Sequence, residues 1–173
     1  MLPELTLVLG GAASGKSAFA EGLAMATGRP RIYLATAQIL DEEMRLKVEK
    51  HKKMRGDGWQ TIEAPLDLAP PLRAAGTEYV ILLDCVTMLL SNHLLAGNDP
   101  TAAGTALMDA LAGCAAPVII VSNEVGLSVV PENALARRFV NAQGAFNQRL
   151  AAQAGLVVNV TAGLPQVLKG AMP

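Results

Sequence analysis

Short runs of Val, Ile and Leu recur along this chain, separated by longer stretches whose apolar residues repeat every three or four positions. Leu5–Leu9, Arg31–Ala35, Tyr79–Leu83, Pro117–Ser122 and Leu156–Val160 have strand length and are largely apolar at successive positions. Near-continuous apolar runs of this length mark strands covered on both faces. Gln60–Glu63 is a weaker strand candidate. Helical periodicity predicts helices over Lys16–Ala26, from Asp41 to about Arg55, over Thr87–Ala96 and Thr101–Cys114, and from Pro131 to about Ala154. Strands alternating with helices predict an α/β fold, a mostly parallel sheet with helices on both faces. The stretches Ala64–Pro71 and Gly97–Pro100 are short and read as connections within one domain, residues 1–173.

Composition narrows the picture without changing it. Hydrophobic residues make up 51% of the 173 and charged residues 17%, which excludes disorder. The core must be aliphatic, because aromatics are only 3%. That scarcity, with a net charge of −1, also argues against a nucleic-acid partner. Mean hydropathy is +0.35, yet no apolar run reaches the 18 or so residues of a membrane span. Met1-Leu2-Pro3-Glu4 has the character of neither a basic n-region nor an h-region, so a cytoplasmic protein is expected. Cys85 and Cys114 are too few for a disulfide framework and read as two buried thiols.

The chemistry starts at Gly10-Gly11-Ala12-Ala13-Ser14-Gly15-Lys16-Ser17, which matches G-x-x-x-x-G-K-[ST] between a strand and a helix. The glycines let the backbone curl so that successive N–H groups face phosphate oxygens, and the helix dipole adds positive potential there. Lys16 is the expected catalytic cation at the β- and γ-phosphates, and Ser17 an expected Mg²⁺ ligand. Together these features predict a P-loop NTPase-like fold. Asp84, closing Val80-Ile81-Leu82-Leu83, is the expected second metal carboxylate. Cys85 follows it where hydrolytic motors usually carry a carboxylate, so group transfer is favoured over ATP-driven motion. Asn123 and Glu124 lie past the end of another strand, where α/β sheets place ligand groups. Glu124 is a candidate for holding metal-bound water or taking the acceptor's proton, with loop structure as the alternative.

On the predicted second helix, Met44, Val48 and His51 share a face, with Lys47, Lys50 and Lys53 offset from it. An imidazole beside lysines suits contact with phosphate, and its neutral nitrogen is a nucleophile near pH 7. The residues alone favour the alternative of a half-buried helix histidine packing against the sheet. His93 has no such surroundings and reads as structural.

The motifs resemble the bifunctional adenosylcobinamide kinase / adenosylcobinamide-phosphate guanylyltransferase family of cobalamin biosynthesis. The residues that carry the resemblance are Gly10–Ser17, Ala35-Thr36-Ala37 with Asp41-Glu42-Glu43-Met44, and His51-Lys52. They continue through Leu83-Asp84-Cys85-Val86-Thr87 with Ser91-Asn92, Asn123-Glu124-Val125-Gly126, Val130-Pro131-Glu132-Asn133 and Asn147-Gln148-Arg149-Leu150. The resemblance implies two reactions: phosphorylation of the aminopropanol hydroxyl of adenosylcobinamide by ATP or GTP, then GMP transfer from GTP through a guanylylated histidine, a role that falls on His51. It also implies nucleotide contacts at Ala35, Thr36, Ala37, Lys50, His51, Glu63 and Asp84, nucleotide and corrinoid substrates, and a homotrimer. Glu63 would accept from guanine N1 and N2, with a solvent-exposed glutamate at a strand end as the alternative. Ala13 stands where the family commonly has Arg, and Val140-Asn141 and Phe146 also depart from its pattern. Two other functions fit the loop: a small-molecule P-loop kinase without a covalent histidine, and a nucleotide-gated binding protein.

Overall fold

The computed structural model describes residues 1–38, 42, 45, 46, 49 and 56–173. Its elements are β1 (Leu5–Gly10), α1 (Lys16–Ala26), β2 (Arg31–Ala35), β3 (Trp59–Glu63), α2 (Ala69–Ala74), β4 (Val80–Asp84), α3 (Val86–Leu95), α4 (Pro100–Ala112), β5 (Val118–Asn123), α5 (Ala134–Gln153), β6 (Leu156–Thr161) and β7 (Leu164–Lys169). The strands form one sheet in the order β3-β2-β4-β5-β1-β6-β7. All pairs are parallel except β6–β7.

The apolar strand runs acquire their meaning from the two-residue period of a strand. Leu7, Ile81, Leu83, Val118 and Ile120 join the core under α2 to α5, with Leu72, Leu89, Leu90, Leu107, Phe146 and Leu150. Their neighbours Val8, Val80, Leu82, Ile119 and Val121 point the other way, onto Ala20, Leu23 and Ala24 of α1. Both faces are therefore covered, as expected.

Three expectations need correction. The last long helix begins at Ala134, not Pro131, because the Asn133 side chain accepts from the Leu135 and Ala136 amides and caps it there. The stretch 64–71, expected as a connection, contains the start of α2, where Asp67 Oδ1 accepts from Ala69 N. After β6 the chain turns through Ala162 (φ 52°) and Gly163 (φ 80°) into β7, which the apolar pattern did not announce. Two central residues with positive φ make the tight turn that matches strand twist. The expected helix from Asp41 to about Arg55 lies almost wholly outside the described residues. Within it, Arg45 forms ion pairs with Glu42 and Glu49.

Candidate active site

The phosphate loop is built by close approach. Gly10, the last residue of β1, is buried, and a Cβ there would collide with Ser14 Oγ and come within 2.6 Å of the Val160 carbonyl. Ala13 (φ 55°) and Gly15 (φ 91°) take left-handed conformations that turn the chain into α1. Phe19 N to Gly15 O is the first helical bond, so the amides of the first turn have no helical acceptor and form an anion-binding end. Lys16 Nζ turns into the loop and donates to Gly11 O at 2.9 Å. The β6–β7 turn backs the loop, with Gly163 N donating to Ser14 O at 2.8 Å.

Strand register lines up the remaining candidates. Ala35 is level with Glu63 on one side and Asp84 on the other. Asp84 is level with Val121 of β5, and Gly10 with Asn123. β1 and β4 are thus two strand spacings apart laterally, about 10 Å, with β5 between them, and Gly10 lies two residues further along the sheet than Asp84. Tyr33 donates its hydroxyl to Asp84 Oδ2 at 3.2 Å. The hydroxyl of Ser17 and the carboxylate of Asp84 are hard oxygen donors of the kind that hold Mg²⁺ with its waters. No group of three or more His, Cys, Asp or Glu suited to a metal occurs among the described residues.

Thr36 is fully buried. Its hydroxyl donates to Cys85 O at 2.7 Å and accepts from Cys85 N at 2.9 Å. Its carbonyl accepts from Asn92 Nδ2 at 2.8 Å. The Thr36 side chain therefore holds protein, while Ala35 and Ala37 remain half-buried at the edge. Glu63 is exposed at the end of β3. Cys85 is buried, and burial with the nearby Asp84 charge pushes its thiol up to about 11, with Lys16 acting the other way. It is a packing group and not a nucleophile. Cys114, expected to be buried, is half-buried and donates to Ala116 O at 3.4 Å.

Glu124 follows β5, its amide donating to Gly10 O at 3.1 Å and its Oε1 accepting from Gly126 N at 3.2 Å. Behind it, Ser122, Gln143 and Asn147 form a buried hydrogen-bonded cluster. Asn147 also donates to Asn123 O, and Thr87 Oγ1 accepts from Asn123 N. Sequence reasoning missed Tyr33 and the Gly163 turn. Lys50 and His51 lie outside the described residues. His93 is structural as expected: one ring nitrogen meets Leu66 O at 2.9 Å and the other the Asn98 amide at 3.2 Å. Phe146 is core, seated against Gly104, where a Cβ would come within 2.9 Å of the ring.

Among solved structures the chain resembles an ATPase from the type III secretion system of pathogenic bacteria, with a TM-score of 0.52 and 13% identity over 92% of this chain and 51% of that one. It also resembles a Pyrococcus horikoshii OT3 protein, PH0250, with a TM-score of 0.59 and 8% identity over 98% and 88%. These likenesses bear on the fold alone, which is P-loop NTPase-like. No helix among the described residues is long and apolar enough to cross a membrane. Curated relatives are closer in sequence. The bifunctional adenosylcobalamin biosynthesis protein CobP of Pseudomonas aeruginosa is 42% identical over 95% of this chain and 96% of its own length. CobU of Salmonella typhimurium is 39% identical over 95% and 99%, and CobU of Escherichia coli 38% over 95% and 99%. Residues 6–168 match the model of the cobinamide kinase / cobinamide phosphate guanyltransferase family, CobU, and the chain belongs to that family.

Proposed function

We propose that this enzyme phosphorylates adenosylcobinamide and then transfers GMP from GTP to the resulting phosphate through a guanylylated His51, giving adenosylcobinamide-GDP. The observation that carries the reading is that the loop, Asp84, Ala35 and Glu63 all lie at the carboxyl ends of the parallel strands, in a chain that matches the family over residues 6–168. Residues 1–173 act as one P-loop transferase domain. The two unpaired cysteines fit a reducing cytoplasm. The family resemblance carries over a homotrimer.

In the kinase step, the loop amides from Gly10 to Ser17 and the Lys16 ammonium hold the β- and γ-phosphates. The acceptor hydroxyl forms a bond to the γ-phosphorus while the bond from that phosphorus to the nucleoside diphosphate breaks. Glu124, at the end of β5 beside Gly10, takes the hydroxyl proton. Mg²⁺, when bound at Ser17 and Asp84, neutralises charge on the phosphate oxygens. In the second reaction a neutral His51 nitrogen bonds to the α-phosphorus and pyrophosphate leaves. The phosphate of adenosylcobinamide phosphate then displaces the imidazole. Lys50 flanks this phosphate, and Glu63 accepts from the guanine.

Labelled GTP tests both halves. Label at the α-phosphate should appear on the protein in an acid-labile, base-stable bond. Label at the γ-phosphate should pass to adenosylcobinamide when GTP is the donor, or from labelled ATP when ATP is. Phosphate transfer with no protein-bound α-label would reduce the enzyme to a kinase without a covalent histidine. No transfer of either label would leave a nucleotide-gated binding protein.

A further inference from the structure

Asn92 is not itself one of the groups that the proposed chemistry uses, yet it is 6% exposed among apolar neighbours on α3. Leu89, Leu90 and Leu94 on the same helix are buried, and a leucine at 92 would suit that setting. A buried amide persists at such a place only with its hydrogen bonds made. Asn92 Nδ2 makes two, to Thr36 O at 2.8 Å and Pro65 O at 2.9 Å. The first acceptor lies just past β2 and the second just past β3. Thr36 in turn grips Cys85 from both sides through its hydroxyl. Between the two loops, Ala64 N donates to Ala35 O at 2.8 Å.

Two side chains therefore stitch together three segments where they leave the sheet. Each segment carries a candidate contact next to the stitch. Asp84 precedes Cys85, Ala35 precedes Thr36, and Glu63 lies two residues before Pro65. A buried hydrogen-bonded network of this kind favours one geometry.

We propose that Asn92, acting through Thr36 and Pro65, is a positioning residue that sets the place of Glu63 relative to Asp84 and so the preference for guanine over a base without the 2-amino group. The inference rests on the reading of Glu63 as the guanine acceptor. A site that hydrogen-bonds a donor discriminates strongly against an analogue lacking it only while its acceptor is held in place.

The test is the dissociation constant of GTP against that of ITP, whose base lacks the 2-amino group, measured by calorimetry on the full chain. The wild type should favour GTP by about tenfold or more. Asn92→Ala should bring the ratio close to one by weakening GTP, which uses both N1 and N2 donors, more than ITP, which keeps only N1. A merely structural loss would weaken both nucleotides by the same factor, and that result, or an unchanged ratio, overturns the proposal. Glu63→Ala separates this inference from the reading beneath it. If Glu63→Ala removes the preference and Asn92→Ala does not, the positioning role fails alone. If neither variant changes the ratio, or the wild type has no preference, both fail. Should Asn92→Ala not fold, Thr36→Val and Thr36→Ser decide. Valine should lose the preference and serine, which keeps the hydroxyl, should restore it; valine retaining it would overturn the proposal.

Discussion

Lys16 sits buried because the loop folds around its ammonium, which rests 2.9 Å from Gly11 O. Lys16→Ala should therefore slow phosphoryl transfer by roughly 10²–10³, the scale of losing one preorganised contact to developing charge; a kinase assay at saturating nucleotide reads it. Cys85 offers a second expectation at this scale. Its thiol is pushed up to about 11 in the folded chain, above the range of an unfolded thiol near 8.5. A group raised on folding contributes stability below its unfolded value and loses it as pH climbs through the folded one. Stability against thermal unfolding should thus fall from about pH 9 to 11, and Cys85→Ala should flatten that limb. The placement of Lys16 in the loop and of Asp84 at a strand end was legible because a contiguous motif and a strand-ending carboxylate announce them. Thr36 was not: within Ala-Thr-Ala its hydroxyl looks like a ligand, and its partner Cys85 lies 49 residues away.

At the scale of elements, the five apolar strands were readable because each is covered on both faces. β7 was not, since every one of its residues is exposed and nothing in Leu164–Lys169 alternates towards a core. The turn before it nevertheless shapes the site. Gly163 combines a φ of 80° with a hydrogen bond to Ser14 O. Gly163→Val strains that turn by about 1–3 kcal/mol and pulls on the loop from behind. Nucleotide KM should rise several-fold while circular dichroism stays close to the wild type. An unchanged KM in a folded variant would mean that the loop holds its shape unaided. α2 escaped the sequence reading for a different reason: at six residues with two prolines, it is shorter than the window over which helical periodicity can be judged.

For the molecule as a whole, apolar side chains remain outside the core. Leu127 and Val129 are each 91% exposed on the loop after Glu124, and Leu164 is 72% exposed on the sheet edge. The proposed homotrimer predicts sedimentation at three times the 18.0 kDa chain mass, with Leu127 and Leu164 protected from solvent in hydrogen exchange of their segments. A monomer at micromolar concentration would contradict it. The fold class was legible across the whole chain because a parallel sheet with two covered faces imposes one repeating pattern. The convergence of Glu63, Ala35 and Asp84 was not, because it depends on the strand order β3-β2-β4, which no local pattern encodes.

On the proposed reading one site works on two different phosphorus atoms, and His51 is needed for only one of them. Intact-protein mass spectrometry after incubation with GTP and Mg²⁺, on wild type and His51→Asn, tests it most directly, with conversion of adenosylcobinamide to its phosphate followed in the same samples. The wild type should gain the mass of one GMP. His51→Asn should gain nothing and still phosphorylate adenosylcobinamide. A GMP adduct persisting in the variant, or equal loss of both activities in a folded variant, would contradict the account.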